Sequence, residues 1–447
     1  LIKRYEAALK NRLIHPIQEF LQTEATGGIL LLIATAFALF LANSPWGEAY
    51  HHFLEIPIRA GIGDFIIDKS LHHWVNEGLM VIFFFLVGLE IKREVLAGEL
   101  ASPRKAALPF AAAIGGMLVP ALCFAALNMD GPGLRGWGIP MATDIAFALG
   151  ILALLGSRVP IGIPVFLTAL AIIDDLGGVL VIALFYGGSI ETTPLMAGFA
   201  ILALSYAANK AGIRNALVYA VFGIVIWLAF LNSGIHATIA GVLLAMTIPE
   251  RAIIPGMQFA ALIDNLIGKF KKQEQVDNPL IRAEEEQAII QEIETACKDV
   301  EAPLQAIEHK LHPWVAYLIM PLFAFSNAGV EIHLDGIGRE LVDPITLGII
   351  LGLVVGKQGG IMLFSWLAVR MGWADLPSRT SWFQLYAVSW LAGIGFTMSL
   401  FIGSLAFADP VAVQKMKIGI LLASAIAGLG GYLLIRLQKN GDGSQPG

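Results

Sequence analysis

Leu170-Ala-Ile-Ile-Asp-Asp-Leu-Gly-Gly178 places two adjacent carboxylates inside an otherwise apolar run. Neighbours on a helix point about 100° apart at 3.6 residues per turn. One carboxylate can therefore face a water-filled cavity while the other faces a packed neighbour. Two nearby carboxylates raise one another's proton affinity, and burial adds to the rise. A hard monovalent cation wants oxygen ligands and so does a proton, so such a site binds one or the other. That choice makes exchange chemistry available.

The surroundings of this stretch are those of a membrane protein. Of the 447 residues 57% are hydrophobic and 14% charged, against about 45–50% and about 25% in soluble domains. The apolar residues form runs close to the roughly 20 needed to span a bilayer. They predict an all-α polytopic membrane protein of about twelve transmembrane helices. The expected limits are 26–43, 75–91, 106–128, 136–155, 161–185, 193–209, 215–232, 234–249, 313–331, 343–369, 381–407 and 414–436. A membrane domain of eight spans then covers 1–249, and four more spans cover 313–439. The segment 44–73 lies outside the membrane. There Phe53-Leu-Glu-Ile and Phe65-Ile-Ile flank Gly61 and Gly63, which reads as a short β-hairpin. The charged insert 250–312 carries 12 acidic and 7 basic residues, most of the net charge of −6. Within it Ala283 to Val300 reads as a polar helix. The tail 440–447 reads as disordered. Residues 1–22 are polar and amphipathic, unlike a signal peptide, and with Leu1 first the natural start is expected to be missing or processed.

Lys and Arg set the orientation. With the N-terminus in the cytoplasm, 22 of the 29 fall on the cytoplasmic side and 6 outside, leaving Lys357 within a span. Both termini are expected to be cytoplasmic. No basic surface of nucleic-acid type is present, and two cysteines, Cys123 and Cys297, give no disulfide framework.

Asp144, Asp174, Asp175 and Lys357 all sit deep in apolar runs. Each costs roughly 2.5–3.5 kcal/mol at a helix centre on insertion scales, so such residues face a cavity or pair. A structural Asp–Lys pair that locks helices is one reading. Three acids and one base cannot all cancel, which favours an ion site. Asp144 lies in Gly136-Trp-Gly-Ile-Pro-Met-Ala-Thr-Asp-Ile-Ala-Phe147, whose Gly136, Gly138 and Pro140 are poor helix residues at membrane depth. A matching interruption, with Gly393 and Gly395, occurs in Trp390-Leu-Ala-Gly-Ile-Gly-Phe-Thr-Met-Ser399. Paired interruptions of this kind point to a midplane transporter site, where Asp144 can balance the positive ends of half-helices. Gly348, Gly352, Gly356 and Gly360 form a seam spaced by four, along which another helix can approach beside Lys357.

Weaker groups lie at the cytoplasmic face. Glu90 and Arg93 stand at helix spacing i, i+3 and can pair, as a functional or a merely solvated ion pair. Glu308, His309 and His312 precede the ninth span, and histidine titrates in the physiological range; solvated interfacial residues fit the pattern equally. His236 reads as a satisfied structural histidine.

At these residues the chain resembles the NhaA family of bacterial sodium/proton antiporters. The matching stretches are Ala142-Thr-Asp-Ile-Ala-Phe-Ala148, Ala171-Ile-Ile-Asp-Asp-Leu-Gly177, Gly356-Lys-Gln-Gly359 and Ala392-Gly-Ile-Gly-Phe-Thr-Met398, with Gly88-Leu-Glu-Ile-Lys-Arg-Glu94 and Leu311-His-Pro-Trp-Val-Ala-Tyr317. The resemblance implies inverted repeats with two broken, crossing helices in a bacterial inner membrane. It implies pH-regulated exchange of sodium or lithium for protons, without a cofactor. Asp175 would be the main cation ligand, with Asp174 beside it and paired to Lys357. Asp144 and Thr143 would sit at the helix crossing. Glu90, Arg93, Glu308, His309 and His312 would fall in a pH-responsive region, and the 44–73 hairpin would make a homodimer contact. The insert departs from the family pattern in its length.

Two other classes remain open at this level. A passive channel would favour a ring of like groups, against which Lys357 argues. An intramembrane aspartyl protease would carry Gly-x-Gly-Asp, whereas Ala171, Ile172 and Ile173 precede Asp174.

Overall fold

A computed structural model describes residues 25–62, 65–156, 159–160, 162–273, 279–332, 337–377 and 380–438. The N-terminal amphipathic segment and the tail lie outside the described residues. The chain is mostly helical. Its elements in order are α1 (Ala25–Ala42), α2 (Gly47–Glu55), β1 (Pro57–Ile62), β2 (Phe65–Ser70), α3 (Met80–Ala97) and α4 (Pro103–Leu127). A 3-10 segment, Pro132–Met141, leads into α5 (Ile145–Leu155), followed by α6 (Gly162–Phe185), α7 (Thr192–Lys210), α8 (Ala216–Leu231) and α9 (Thr238–Thr247). Then come α10 (Gly256–Gln273), α11 (Pro279–Val300), α12 (Pro303–Trp314), α13 (Met320–Asn327), α14 (Pro344–Leu351), α15 (Lys357–Arg370), α16 (Trp382–Ala392), α17 (Phe396–Ala406) and α18 (Pro410–Leu437). Three single π-turns, Trp74–Leu79, Val315–Ile319 and Gly352–Gly356, join α3, α13 and α15 to what precedes them.

Among the described residues, six helical stretches are long and apolar enough to cross a membrane, or seven if α16 and α17, bent by 45° at their break, count as one span. Local chemistry sets the boundaries. Asp343 and Asp409 cap α14 and α18, each followed by a proline at the first helical position, where the missing N–H costs nothing. Ser381 and Gln384 close a reciprocal capping box on α16, which satisfies two orphan donors.

The helices gather in two bundles. One contains α4, α5, α6 and α14 to α18, the other α3, α7, α8, α9, α12 and α13. The tightest seam joins α4 to α15. A Cβ on Gly360 would lie 2.0 Å from the backbone oxygen of Gly115, so only glycine allows that approach. The bundles touch along α3 against α6 and α13 against α17.

The hairpin forms in antiparallel register from Pro57 opposite Ser70 to Ile62 opposite Phe65. Its first strand starts later than expected, because Phe53-Leu-Glu belongs to α2. The insert holds two helices rather than one. On α10, Phe259, Ile263 and Leu266 face inward at helical spacing, and on α11 Ile289, Ile293 and Ala296 do the same. Two such stripes bury one another in an antiparallel pair. Its base is tied by Ile253 N and Ile254 N to Asp299 O, at 2.9 and 3.0 Å.

Candidate cation site

The four intramembrane ionisable residues converge. Asp174 and Asp175, in the middle of α6, are 1% and 2% exposed, Asp144 1% and Lys357 0%. Lys357 heads α15 because the Gly352–Gly356 turn lets its backbone press on Pro120 of α4. Its ammonium donates to Asp174 Oδ2 at 2.6 Å and to the carbonyl of Met141. The single Thr143 hydroxyl hydrogen has two acceptors in reach, the same Asp174 oxygen and Ala392 O, each 2.8 Å from Oγ1. Oδ1 of Asp174 and Oδ1 of Asp175 have no hydrogen-bond partner among the described residues.

The 100° between neighbours separates the two carboxylates. Asp174 turns to Lys357. Asp175 lines a cavity of about 50 Å³ with Asp144, Glu90, His312 and Met398. That cavity lies between the two bundles and extends towards the end of the molecule that carries the insert. Close in sequence to the lining residues Phe83, Met320 and Met398, Phe401 sits 5.3 Å from Phe84 and 6.1 Å from Phe323 between ring centroids, all three fully buried.

Both interruptions expected from sequence are present, and they cross. The backbone is extended at Ala142, Thr143 and Asp144. It breaks again between α16 and α17, where Asp144 N donates to Ile394 O at 2.7 Å. Asp144 caps α5 through Phe147 N at 3.0 Å. It also accepts Thr397 N at 3.1 Å and the Thr397 hydroxyl at the start of α17. One carboxylate thus serves two helix N-termini, the positive ends of their dipoles. Lys357 and Thr143 meet the two opposing C-terminal carbonyls, Met141 O and Ala392 O. Gly393 is needed for the crossing: a Cβ there would stand 2.5 Å from Leu353 O. At Gly395 it would stand 2.1 Å from Ser399 Oγ. Thr397 and Ser399, which donates to Ile139 O at 2.7 Å, were not singled out by sequence. Their signal is a hydroxyl two or four residues past the break glycine Gly395.

The insert-side group draws partners from several helices. Arg93 donates to Glu308 across helices and to Glu94 at 3.1 Å, while Glu90 faces the cavity with Asp175. Burial pushes the Glu308 carboxyl up, with Arg93 opposing. His312 reaches the cavity, and His309 is exposed beside it. Lys92, also unforeseen, holds Met246 O at 2.9 Å and stands 3.6 Å from Glu250. His236 is satisfied, as expected, with Tyr186 O at 2.6 Å and Glu77 at 3.8 Å.

Buried carboxylates thus gather around two helix breaks that meet inside apolar bundles. The family description Na+/H+ antiporter 1 matches residues 18–435, and the chain belongs to that family. It is 49% identical over 96% of its length to the Na(+)/H(+) antiporter NhaA of Oleidesulfovibrio alaskensis, covering 96% of that protein. It is 49% identical to the Na(+)/H(+) antiporter NhaA of Koribacter versatilis, over 95% of this chain and 91% of the relative. The Na(+)/H(+) antiporter NhaA 1 of Saccharophagus degradans is 48% identical over the same shares.

Proposed function

We propose that the chain exchanges cytoplasmic sodium or lithium for external protons, electrogenically, by alternating access at Asp174 and Asp175. The observation that carries this reading is the division of labour between the two carboxylates. Asp175 lines a cavity open to a cation, and Asp174 is held by Lys357. Two acids that take up two protons in place of one cation move net charge, so the membrane potential can drive sodium out. Asp144 and Thr143 keep the broken helices crossed, and Gly393 and Gly395 let them approach.

The chain is read as twelve spans, with α5 and its 3-10 segment and α16 with α17 as the corresponding broken spans of two inverted repeats. The Lys and Arg distribution puts both termini and the insert in the cytoplasm of a bacterial inner membrane. The Asp175 cavity then faces the cytoplasm, and the Phe84–Phe401–Phe323 cluster closes the outer side. Arg93, Glu308, His312, His309 and Glu90 stand where protonation can act on the cavity mouth, which supports pH regulation. The hairpin is the expected contact of a homodimer in the bilayer.

The test is reconstitution in liposomes with a pH-sensitive dye and a sodium pulse. Proton movement that follows the pulse and scales with an imposed potassium-diffusion potential is the expected result. Exchange that ignores the potential would exclude an electrogenic cycle.

A further inference from the structure

The outer end of the interface between the bundles holds a second set of contacts that the cation site does not use. After α13 the chain runs through residues 328–332, whose carbonyls include those a helix C-terminus leaves without partners. Most of that segment is held within its own half of the molecule. Asn43 Nδ2 donates to Val330 O at 2.8 Å, and Asn43 Oδ1 accepts Ile332 N at 2.7 Å. Tyr50 Oη donates to Phe325 O at 2.5 Å. Asn76 and Asn327 exchange amide hydrogen bonds at 2.8 and 3.3 Å, with His72 3.2 Å from Asn327.

Two bonds come from the other bundle. Gln414 Nε2 donates to Glu331 O and Lys417 Nζ donates to Gly329 O, each at 3.1 Å. These two residues lie one helical turn apart on α18, so one face of its first turns makes both contacts. An ammonium beside the carbonyls that end a helix is also where the dipole favours positive charge. Through α18, which packs on α16 and α17, the pair is mechanically continuous with the broken span of the site. Phe323 and Phe401, one from each bundle, lie just inside it. The outer end cannot open without parting both the rings and these two bonds.

We propose that Lys417 and Gln414 are positioning residues of the transport cycle: they clasp the carbonyls of Gly329 and Glu331 and hold the outer end shut while the cation site faces the insert. Release of the clasp accompanies exposure of the site to the outer face. This rests on the alternating-access reading above. A carrier with a weakened clasp spends more time facing outward. Its apparent affinity at each face scales with the fraction of molecules competent to bind there.

The experiment uses the full chain in oriented vesicles and measures the sodium KM of dye-reported exchange at each face. Variants are Lys417→Met, Gln414→Ala, the pair together, and Lys417→Arg, which keeps a charged donor. Lys417→Met and Gln414→Ala should raise KM at the insert face by about threefold or more and lower it at the hairpin face. Lys417→Arg should return both values towards those of the unmodified chain. A merely structural role predicts a lower melting temperature or turnover with both KM values unchanged, and that result overturns the clasp. A shift of both KM values in the same direction overturns it too. If Lys417→Met does not assemble, Gln414→Ala carries the same comparison. An unmodified chain that moves no protons after a sodium pulse overturns the exchange reading itself, and the clasp with it.

Discussion

Lys357 Nζ stands 2.6 Å from Asp174 Oδ2 with neither side chain exposed at all. Removing one partner of a buried pair leaves the other charge uncompensated, at a cost of about 3–5 kcal/mol. Lys357→Met should therefore lower the melting temperature sharply. Lys357→Arg keeps the charge but never releases its proton. If Lys357 is a counter-ion and the acids carry the protons, Arg preserves electrogenic exchange. That is the expected outcome, and a reversal potential that collapses to the electroneutral value would assign a proton to Lys357 instead.

Asp175 lines the cavity together with Asp144 and Glu90, so its charge is one that an entering cation meets. Asp175→Asn should weaken sodium binding about 100-fold or more, since a lost charged ligand is worth about 3 kcal/mol. Asp174→Asn should weaken it nearly as far. Calorimetry with sodium on purified protein checks both, and near-normal affinity in Asp175→Asn would remove it from the site.

Glu308 sets a stability trend with pH. Burial raises its folded-state value despite Arg93, with Glu94 adding to the rise and His312 opposing it. The folded chain therefore binds this proton more tightly than the unfolded chain. The resulting stabilisation is fully present below the ordinary glutamate value and is lost as pH rises through the raised one. The melting temperature of the unmodified chain should fall relative to Glu308→Gln as pH rises above the ordinary glutamate range. Parallel melting curves across that range would contradict this account of Glu308.

Gly360 and Gly115 meet backbone to backbone, and the Cβ of an alanine at 360 would lie 2.0 Å from Gly115 O. Relief requires α4 and α15 to separate, and overpacking of this kind costs about 1–3 kcal/mol. Gly360→Ala should destabilise the chain and move Lys357 away from Asp174. A thermal melt and sodium affinity measured together test both parts, and unchanged values would mean that the seam is looser than described.

The insert should be dispensable for exchange. Its two helices pack on each other, and its ends are already joined through Ile253, Ile254 and Asp299. A cut from Lys269 to Glu301 would leave half the pair with Leu266 uncovered, so the informative deletion removes Gly256 to Lys298. Membrane assembly and sodium-driven proton movement at high pH should survive it. Loss of assembly would give the insert a structural role.

The candidate cation site was largely legible in the chain because charge inside an apolar run is costly and therefore conspicuous. Asp174, Asp175, Asp144 and Lys357 announce themselves that way, and Gly393 and Gly395 mark a helix that cannot continue. What escaped was partner choice. Beyond its helix neighbour Glu90, Arg93 donates to Glu308, 215 positions away, and to Glu94. No local spacing encodes the distant contact. Thr397 escaped because a threonine near a glycine is common and gains meaning only when Asp144 arrives from the other break. α10 escaped because Gln258, Asp264 and Asn265 interrupt its apolar stripe, which forms no run long enough to span a bilayer.

The Lys357–Asp174 contact joins residues 183 positions apart, and that distance matters while the chain is being made. α6 enters the bilayer with two acids and no lysine to meet them. At about 5–20 residues per second of synthesis, the counter-charge follows some ten to forty seconds later. During that interval α6 must wait protonated, near the lipid headgroups, or sheltered by the insertion machinery. Slowing translation between the codons for Asp175 and Lys357 should therefore lower the yield of assembled protein more than an equal pause placed after Lys357.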